Sequence, residues 1–257
     1  MTAHLPLLIC YNPPVSTPIT AVLFDLDGTL RHSRPNGYES FVTYLAELGH
    51  PITTEKLMDG HRWVHYYWGV SPELLADMQE LGDETPEFWH RHTERQLRAV
   101  GVEGDLDDLI PQISQRFTER YRPQHHVPDE VIPTLRRLRD LGYTVALVSN
   151  RRDPLTDLVA ELGLDGHFQF TLSAGEAESY KPDPGIFLKA VALAGCAPTA
   201  AAYVGDNYYA DVVGARAAGL HPILIDPLGI FPDAACPTIR QLAELEGVLA
   251  QLSTQPA

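Results

Sequence analysis

The amino-acid sequence predicts an α/β fold: a parallel sheet with helices on both faces, interrupted once by an inserted all-helical segment. Three observations carry this expectation. A continuous apolar run, Thr20-Ala21-Val22-Leu23-Phe24, stops at Asp25, and a run of that length without alternation suits a strand buried on both faces. From about Val131 to Ile225 the chain switches repeatedly between helical and strand-like patterns, as strand-helix-strand units of a parallel sheet do. Between Arg31 and about His126, apolar residues recur at helical spacing, as in Phe41, Leu45 and Leu48, and no run resembles a buried strand.

Taken in order, residues 1–18 read as a loosely held extension. The apolar stretch at 5–10 is too short to span a membrane, lacks a basic flank and runs into Asn12-Pro13-Pro14 without a cleavage site. The strand at 20–24 follows, and then the helical insertion. Leu135, Leu138 and Leu141 mark one face of a helix stopped at Gly142, and 143–148 reads as a strand. Asp153 and Pro154 are placed as N-cap and first residue of a helix over 155–162, which Gly163 ends. A strand at 168–172 comes next, then a helix opened by Asp183-Pro184 and ending near Gly195. A strand at 201–204, a helix at 210–218 closed by Gly219 and a strand at 221–225 complete the alternation. The tail after Gln251 reads as frayed. The expected domains are an extension at 1–18, a catalytic core at 19–31 and 126–250, a helical cap at 32–125 and a tail at 251–257.

Composition narrows the function. With 257 residues, 44% of them hydrophobic, the chain can bury one good core and a smaller second unit. A formal charge of -15 and only three lysines argue against a diffuse basic surface for nucleic acid or an anionic membrane. Cys10, Cys196 and Cys236 are odd in number, far apart and not in CxxC spacing, which speaks against a disulfide framework or a zinc site and for reduced, cytoplasmic thiols.

Ligands of open parallel sheets bind beyond the carboxyl ends of the strands. Here those positions hold Asp25, Asp27, Ser149, Asn150, Asp206 and Asn207. Asp25, Asp27 and Asp206 would repel one another unless a cation neutralised them, and Mg2+ is the natural partner of oxygen ligands beside phosphate. Asp211 falls in the first helical turn after Asp206, where it could bind the ion, orient a coordinated water or simply face the helix dipole. Ser149 and Asn150 can offer hydroxyl and backbone amide donors to phosphate oxygens, although strand-to-helix turns are rich in such residues anyway. Lys181, in Tyr180-Lys181-Pro182-Asp183-Pro184, stands just before a helix N-terminus that itself favours anions.

These segments resemble the four motifs of the haloacid dehalogenase-like (HAD) hydrolase superfamily: strand-Asp25-x-Asp27-Gly28-Thr29, strand-Ser149-Asn150, Lys181-Pro182 and strand-Gly205-Asp206-x4-Asp211. They lie in the family's order along a Rossmann-like core, and the resemblance covers 21–30 and 131–227. It implies Asp25 as nucleophile, Asp27 as general acid and base, Thr29, Ser149, Asn150 and Lys181 as phosphate-site residues, and Asp206 as a Mg2+ ligand beside Asp25 and the backbone carbonyl of Asp27. Asp211 matches the family's second acidic position, whose contact with the metal is direct or through water. Because the insertion directly follows the first motif, it resembles the C1 cap of the phosphoglycolate phosphatase-like subfamily.

The implied reaction is Mg2+-dependent hydrolysis of a small phosphomonoester through an aspartyl-phosphate on Asp25. An acid at position 27 argues against carbon-halogen cleavage, since a halide leaves without a proton. A phosphomutase of the β-phosphoglucomutase type, or a catalytically silent binding protein of the same fold, are the alternatives. The implied partner is a small phosphorylated metabolite, with neither nucleic acid nor membrane. Arg31, His32 and Arg151-Arg152 flank the site as binders of a second anionic group or as plain exposed charge. The aromatic stretch at 61–68 could stack on substrate or pack inside the cap, and nothing around Lys56 marks it as buried.

Overall fold

The computed structural model describes residues 18–83 and 85–253; Cys10, the apolar stretch at 5–10 and residues 254–257 of the expected tail lie outside them. Strand β1 (Ala21–Phe24) is buried along its whole length. Its alternate residues serve two different cores: Val22 and Phe24 pack with Val145, Leu147, Val204 and Ile223, whereas Ala21 and Leu23 pack with Ala146, Val148, Ile186 and Phe187. That is why the run is apolar without alternation, as the sequence led us to expect.

After β1 the chain forms β2 (His32–Arg34) and five helices: α1 (Gly37–Glu47), α2 (Thr54–Trp68), α3 (Pro72–Leu81), α4 (Pro86–Ala99) and α5 (Leu109–Arg120). Four of these helices open on a capping side chain, since Asn36, Thr53, Ser71 and Thr85 accept the N–H groups of Glu39, Lys56, Leu74 and Phe88. The helices have cores of their own, one around Phe41, Leu45, Leu97 and Ile113 and one around Tyr67, Leu74 and Phe88. At the base of the insertion, β3 (Gln124–His126) pairs antiparallel with β2. This ribbon differs from the purely helical expectation: its strands are three residues long, polar and nowhere fully buried, so they carry no apolar pattern.

The second half supplies α6 (Val131–Asp140), β4 (Thr144–Ser149), α7 (Thr156–Glu161), β5 (Phe170–Ser173), α8 (Ala174–Ala177), α9 (Pro184–Ala194) and β6 (Ala201–Gly205). It ends with α10 (Gly214–Ala217), β7 (His221–Ile225), β8 (Thr238–Ile239) and α11 (Leu245–Leu252). The six strands of the main sheet are parallel in the order β5-β4-β1-β6-β7-β8. Helices α6, α7 and α11 cover the face reached by Val22 and Phe24, and α9 and α10 cover the other. The expected parallel sheet with helices on both faces is therefore present, and β1 lies inside it with β4 and β6 as neighbours.

Two local expectations need correction. Asp153 and Pro154 do not open the helix after β4: α7 starts at Thr156, and the residue before it, Leu155, makes no side-chain capping bond. Leu155 is buried in the core and already takes a helical conformation, so the polar cap position is displaced from the helix start. The helix expected over 210–218 begins instead as a π-helical turn, Tyr208–Val213, before α10. By contrast, Asp183 does cap α9 through the N–H of Gly185, with Pro184 in first position and Gly195 at its end.

Candidate active site

Because β1, β4 and β6 run parallel side by side, their carboxyl ends bring residues from three distant segments to one edge of the sheet. Asp25 follows β1 and is held there by a 2.9 Å bond from its N–H to the carbonyl of Val204. Lys181 arrives from the loop before α9 and is 2% exposed. Its ammonium donates to Asp25 Oδ1 at 2.6 Å and to Asp211 Oδ1 at 2.7 Å, and contacts the Tyr203 hydroxyl at 3.0 Å.

A third carboxylate, Asp206, lies beside the two that the ammonium bridges. Asp25, Asp206 and Asp211 each bring an oxygen within 4.8 Å of the others. Burial and the neighbouring charges of Asp25 and Asp211 raise the Asp206 carboxyl well above its ordinary range. Burial likewise pushes Asp25 up to about 7, with Lys181 pulling it down and Asp211 pushing it further up. Lys181 itself loses protons less readily than usual, because the charges of Asp211 and Asp25 outweigh its burial. One cation among three carboxylates leaves a deficit of positive charge, and a donor set made of oxygens suits a hard divalent ion.

The backbone makes room for this cluster at two glycines. Gly28 has φ +95°, and a Cβ there would lie 2.3 Å from Asp206 Oδ2. A Cβ on Gly205 would lie 2.2 Å from Asp211 Oδ2.

Asp27 stands apart from the cluster. Its carboxylate receives Arg31 Nη1 at 2.5 Å, Arg151 Nε at 2.7 Å and Arg151 Nη2 at 3.0 Å. Burial raises this carboxyl, but the hydrogen bonds and charges of Arg151 and Arg31 outweigh that and hold it below the usual range. Of the positions the sequence offered for a metal, the side chains of Asp25, Asp206 and Asp211 come together, while that of Asp27 pairs with arginine and leaves only its backbone carbonyl for such a role.

The expected phosphate-site residues are divided between two tasks. The Thr29 hydroxyl donates to Asp206 Oδ1 at 3.2 Å. The Asn150 side chain is spent on the Lys181 peptide, donating to its carbonyl at 2.9 Å and accepting its N–H at 2.7 Å; it positions Lys181 rather than presenting a side-chain donor. Ser149, buried at the end of β4, accepts a long bond from the Arg151 N–H, 3.4 Å, which leaves its hydroxyl proton free to donate.

Several participants carried too weak a signal in the sequence. Tyr203 sits in an apolar strand, yet its hydroxyl donates to the Val148 carbonyl at 2.8 Å and supports Lys181; a buried tyrosine hydroxyl must find a partner. Asn207 caps the π-turn by accepting the N–H groups of Tyr209 and Ala210, while its own N–H donates to Asp211 Oδ2 at 2.9 Å. Arg31 and Arg151 are drawn to Asp27, whereas Arg152 is exposed and faces Asp83 at 3.4 Å. The aromatic stretch at 61–68 splits in two. Trp63, Tyr67 and Trp68 pack around His92, but His65 and Tyr66 meet Phe231 and Tyr209 of the sheet's loops. Lys56 is exposed beside Asp59.

Among the described residues no helix is long and apolar enough to cross a membrane. The chain is 34% identical over 236 residues to human haloacid dehalogenase-like hydrolase domain-containing protein 3, covering 91% of each. A phosphoglycolate phosphatase from Pseudomonas savastanoi is 30% identical over 203 residues, 77% of this chain and 66% of that protein. A solved structure described as a 2-haloacid dehalogenase from Pseudomonas syringae superposes with a TM-score of 0.53 at 30% identity, over 91% of this chain and 99% of the other. The profile of the haloacid dehalogenase-like hydrolases matches residues 19–219, and with the aspartate, lysine and acidic-loop motifs assembled in one place, the chain belongs to that family of hydrolases.

Proposed function

We propose that this hydrolase is a Mg2+-dependent phosphatase of small phosphomonoesters, with Asp25 as nucleophile and the insertion at 32–125 as its cap over the core at 19–31 and 126–250. The observation that carries this reading is Lys181, whose ammonium bridges Asp25 and Asp211 with Asp206 alongside. Such a cluster meets a phosphate dianion with charge on one side and a carboxylate on the other. Mg2+, held by Asp25, Asp206, Asp211 and the carbonyl of Asp27, would supply the charge that lets a carboxylate approach a dianion.

Asp25 then attacks phosphorus, the bond to the leaving oxygen breaks, and an aspartyl-phosphate forms. Lys181, fixed by Asn150 and Tyr203, steadies the negative oxygens. Asp27 gives a proton to the departing alkoxide and afterwards takes one from the water that releases phosphate. Held ionised by Arg31 and Arg151, it is in the form suited to the second of these steps. For the first, the guanidinium groups must be drawn off it. The acid at position 27 also favours phosphate esters over carbon-halogen bonds, despite the likeness to a dehalogenase structure. The cytoplasmic setting belongs to the same reading and rests on three cysteines that are odd in number and widely spaced in sequence.

The test is release of phosphate from a panel of phosphomonoesters with Mg2+, with and without a chelator, for the wild type and Asp25→Asn. Activity that requires Mg2+ and vanishes in Asp25→Asn is expected. Turnover surviving that substitution would remove Asp25 from the mechanism, and halide release from 2-haloacids in place of phosphate release would replace the reading.

A further inference from the structure

The chain passes between core and insertion twice, and the two crossings are the strands of the ribbon, β2 and β3. Within it His32 stands directly opposite His126, Ser33 opposite His125 and Arg34 opposite Gln124. Side chains alternate between the two faces of a strand. His32, Arg34, Gln124 and His126 therefore share one face, and Ser33 and His125 share the other. The contact between Arg31 and His125 fits that division, because Arg31 lies on the Ser33 side. Through Arg31 that side is tied to Asp27. The imidazoles of His32 and His126, by contrast, make no hydrogen bond or ion pair among the described residues. Both are half-buried, fixed by the ribbon yet open to a ligand.

We propose that His32 and His126 form a binding site for a late first-row divalent cation such as Zn2+, which staples the two crossings together. Opposed residues of an antiparallel pair have Cβ atoms about 4.5–5.5 Å apart. From that separation both rings can reach one ion at the usual nitrogen distance of about 2.0–2.1 Å. Burial first, and then Arg34, His126 and Arg31, hold His32 below the ordinary histidine range, which keeps its ring neutral near pH 7, the form that ligates. The donors also select the ion: imidazole suits Zn2+, Ni2+ and Cu2+, whereas Mg2+ keeps to oxygen. Two kinds of cation are thereby sorted between this ribbon and the carboxylates of Asp25, Asp206 and Asp211. Arg34 opposes a dication from the same face, but it is exposed and unpaired among the described residues, so its long side chain can turn to water. With two protein ligands the remaining positions fall to water, and the ion is held reversibly. Once bound, it stiffens the base of the insertion.

The site stands apart from the phosphatase reading, and its test needs no substrate. Zn2+ is titrated calorimetrically into the full chain in excess Mg2+, for the wild type, His32→Gln, His126→Gln and His125→Gln, each checked for folding by circular dichroism. Wild type and His125→Gln are expected to bind one more equivalent of Zn2+ than either of the other two variants. The rise in Tm that Zn2+ gives the wild type should be lost with that equivalent. Arg34→Gln, which removes the opposing charge, should tighten binding a few-fold. Identical isotherms for wild type, His32→Gln and His126→Gln overturn the site, as does an equivalent lost from His125→Gln as well. Wild-type protein gives the same answer without substitution: Zn2+ should protect His32 and His126 together from modification by diethyl pyrocarbonate, read by peptide mass mapping, and equal modification with and without Zn2+ overturns the site.

Discussion

The side-chain amide of Asn207 donates a 2.9 Å hydrogen bond to the backbone carbonyl of His65, joining the last turn of α2 to the loop that carries Asp211. The same residue caps the π-turn and holds Asp211 through its N–H. Asn207→Ala removes both the tie and the cap, so we expect a loss of about 1–3 kcal/mol in urea unfolding. It should also raise the Mg2+ concentration needed for half-maximal activity. A Mg2+ titration identical to wild type would show that Asp211 keeps its place without this link.

Lys181→Met should be worse for the fold than for most buried positions. It leaves Asp25 and Asp211 without the ammonium that bridges them, and breaking a buried ion pair from one side costs about 3–5 kcal/mol. Millimolar Mg2+ should recover part of that loss, because it replaces the missing charge. Urea melts with and without Mg2+ measure both effects, and a Mg2+-independent deficit would place the cation elsewhere.

At Gly28 the backbone conformation and the crowding against Asp206 act together. Gly28→Ala must strain a left-handed φ and displace a carboxylate, for a combined cost of about 1–3 kcal/mol. The expected result is a folded protein with a large fall in phosphate release. Unchanged activity would mean that Asp206 can shift without consequence.

Acid should weaken the insertion through its histidines. Burial pushes both His65 and His92 down to about 4, below the ordinary value near 6.5. Between those limits the unfolded chain binds protons that the folded chain refuses. Stability from each ring is therefore complete above about pH 6.5 and falls as pH drops towards 4, by up to about 3 kcal/mol. Asp25, raised to about 7, pulls the other way over the same interval, so the informative quantity is a difference. Thermal melts of wild type and His92→Phe at pH 7.5 and 5 should show the smaller acid loss in the variant. Parallel curves would mean that His92 titrates normally.

Much of this was readable from the chain. Asp25 announces itself because an apolar run ends on it, and Lys181 because lysine is rare here and this one precedes Asp183-Pro184. The parallel sheet follows from strands whose two faces are both apolar. What escaped reading depends on three dimensions. Nothing local marks Tyr203, an ordinary strand residue whose hydroxyl matters only because Lys181 is laid over it by a distant loop. Nor does the sequence show that the side-chain amide of Asn150 is spent on the Lys181 peptide, a contact made across thirty intervening residues. The arginine pair on Asp27 likewise joins residues on opposite sides of the insertion, and the ribbon of β2 and β3 is too short and polar to show a pattern.

The place of β1 inside the sheet also constrains how the protein is made. Leu23 pairs in register with Ala146 on one side and Tyr203 on the other, each more than a hundred residues further along the chain. During synthesis from the N-terminus, the apolar segment Ala21–Phe24 therefore emerges long before either neighbour exists. Contacts this distant in sequence are slow to close and leave sticky segments uncovered meanwhile. The helices of the insertion, with cores built from nearby residues, can form first, so Asp25 is translated well before the strands that flank its own and is among the last residues to be locked in place.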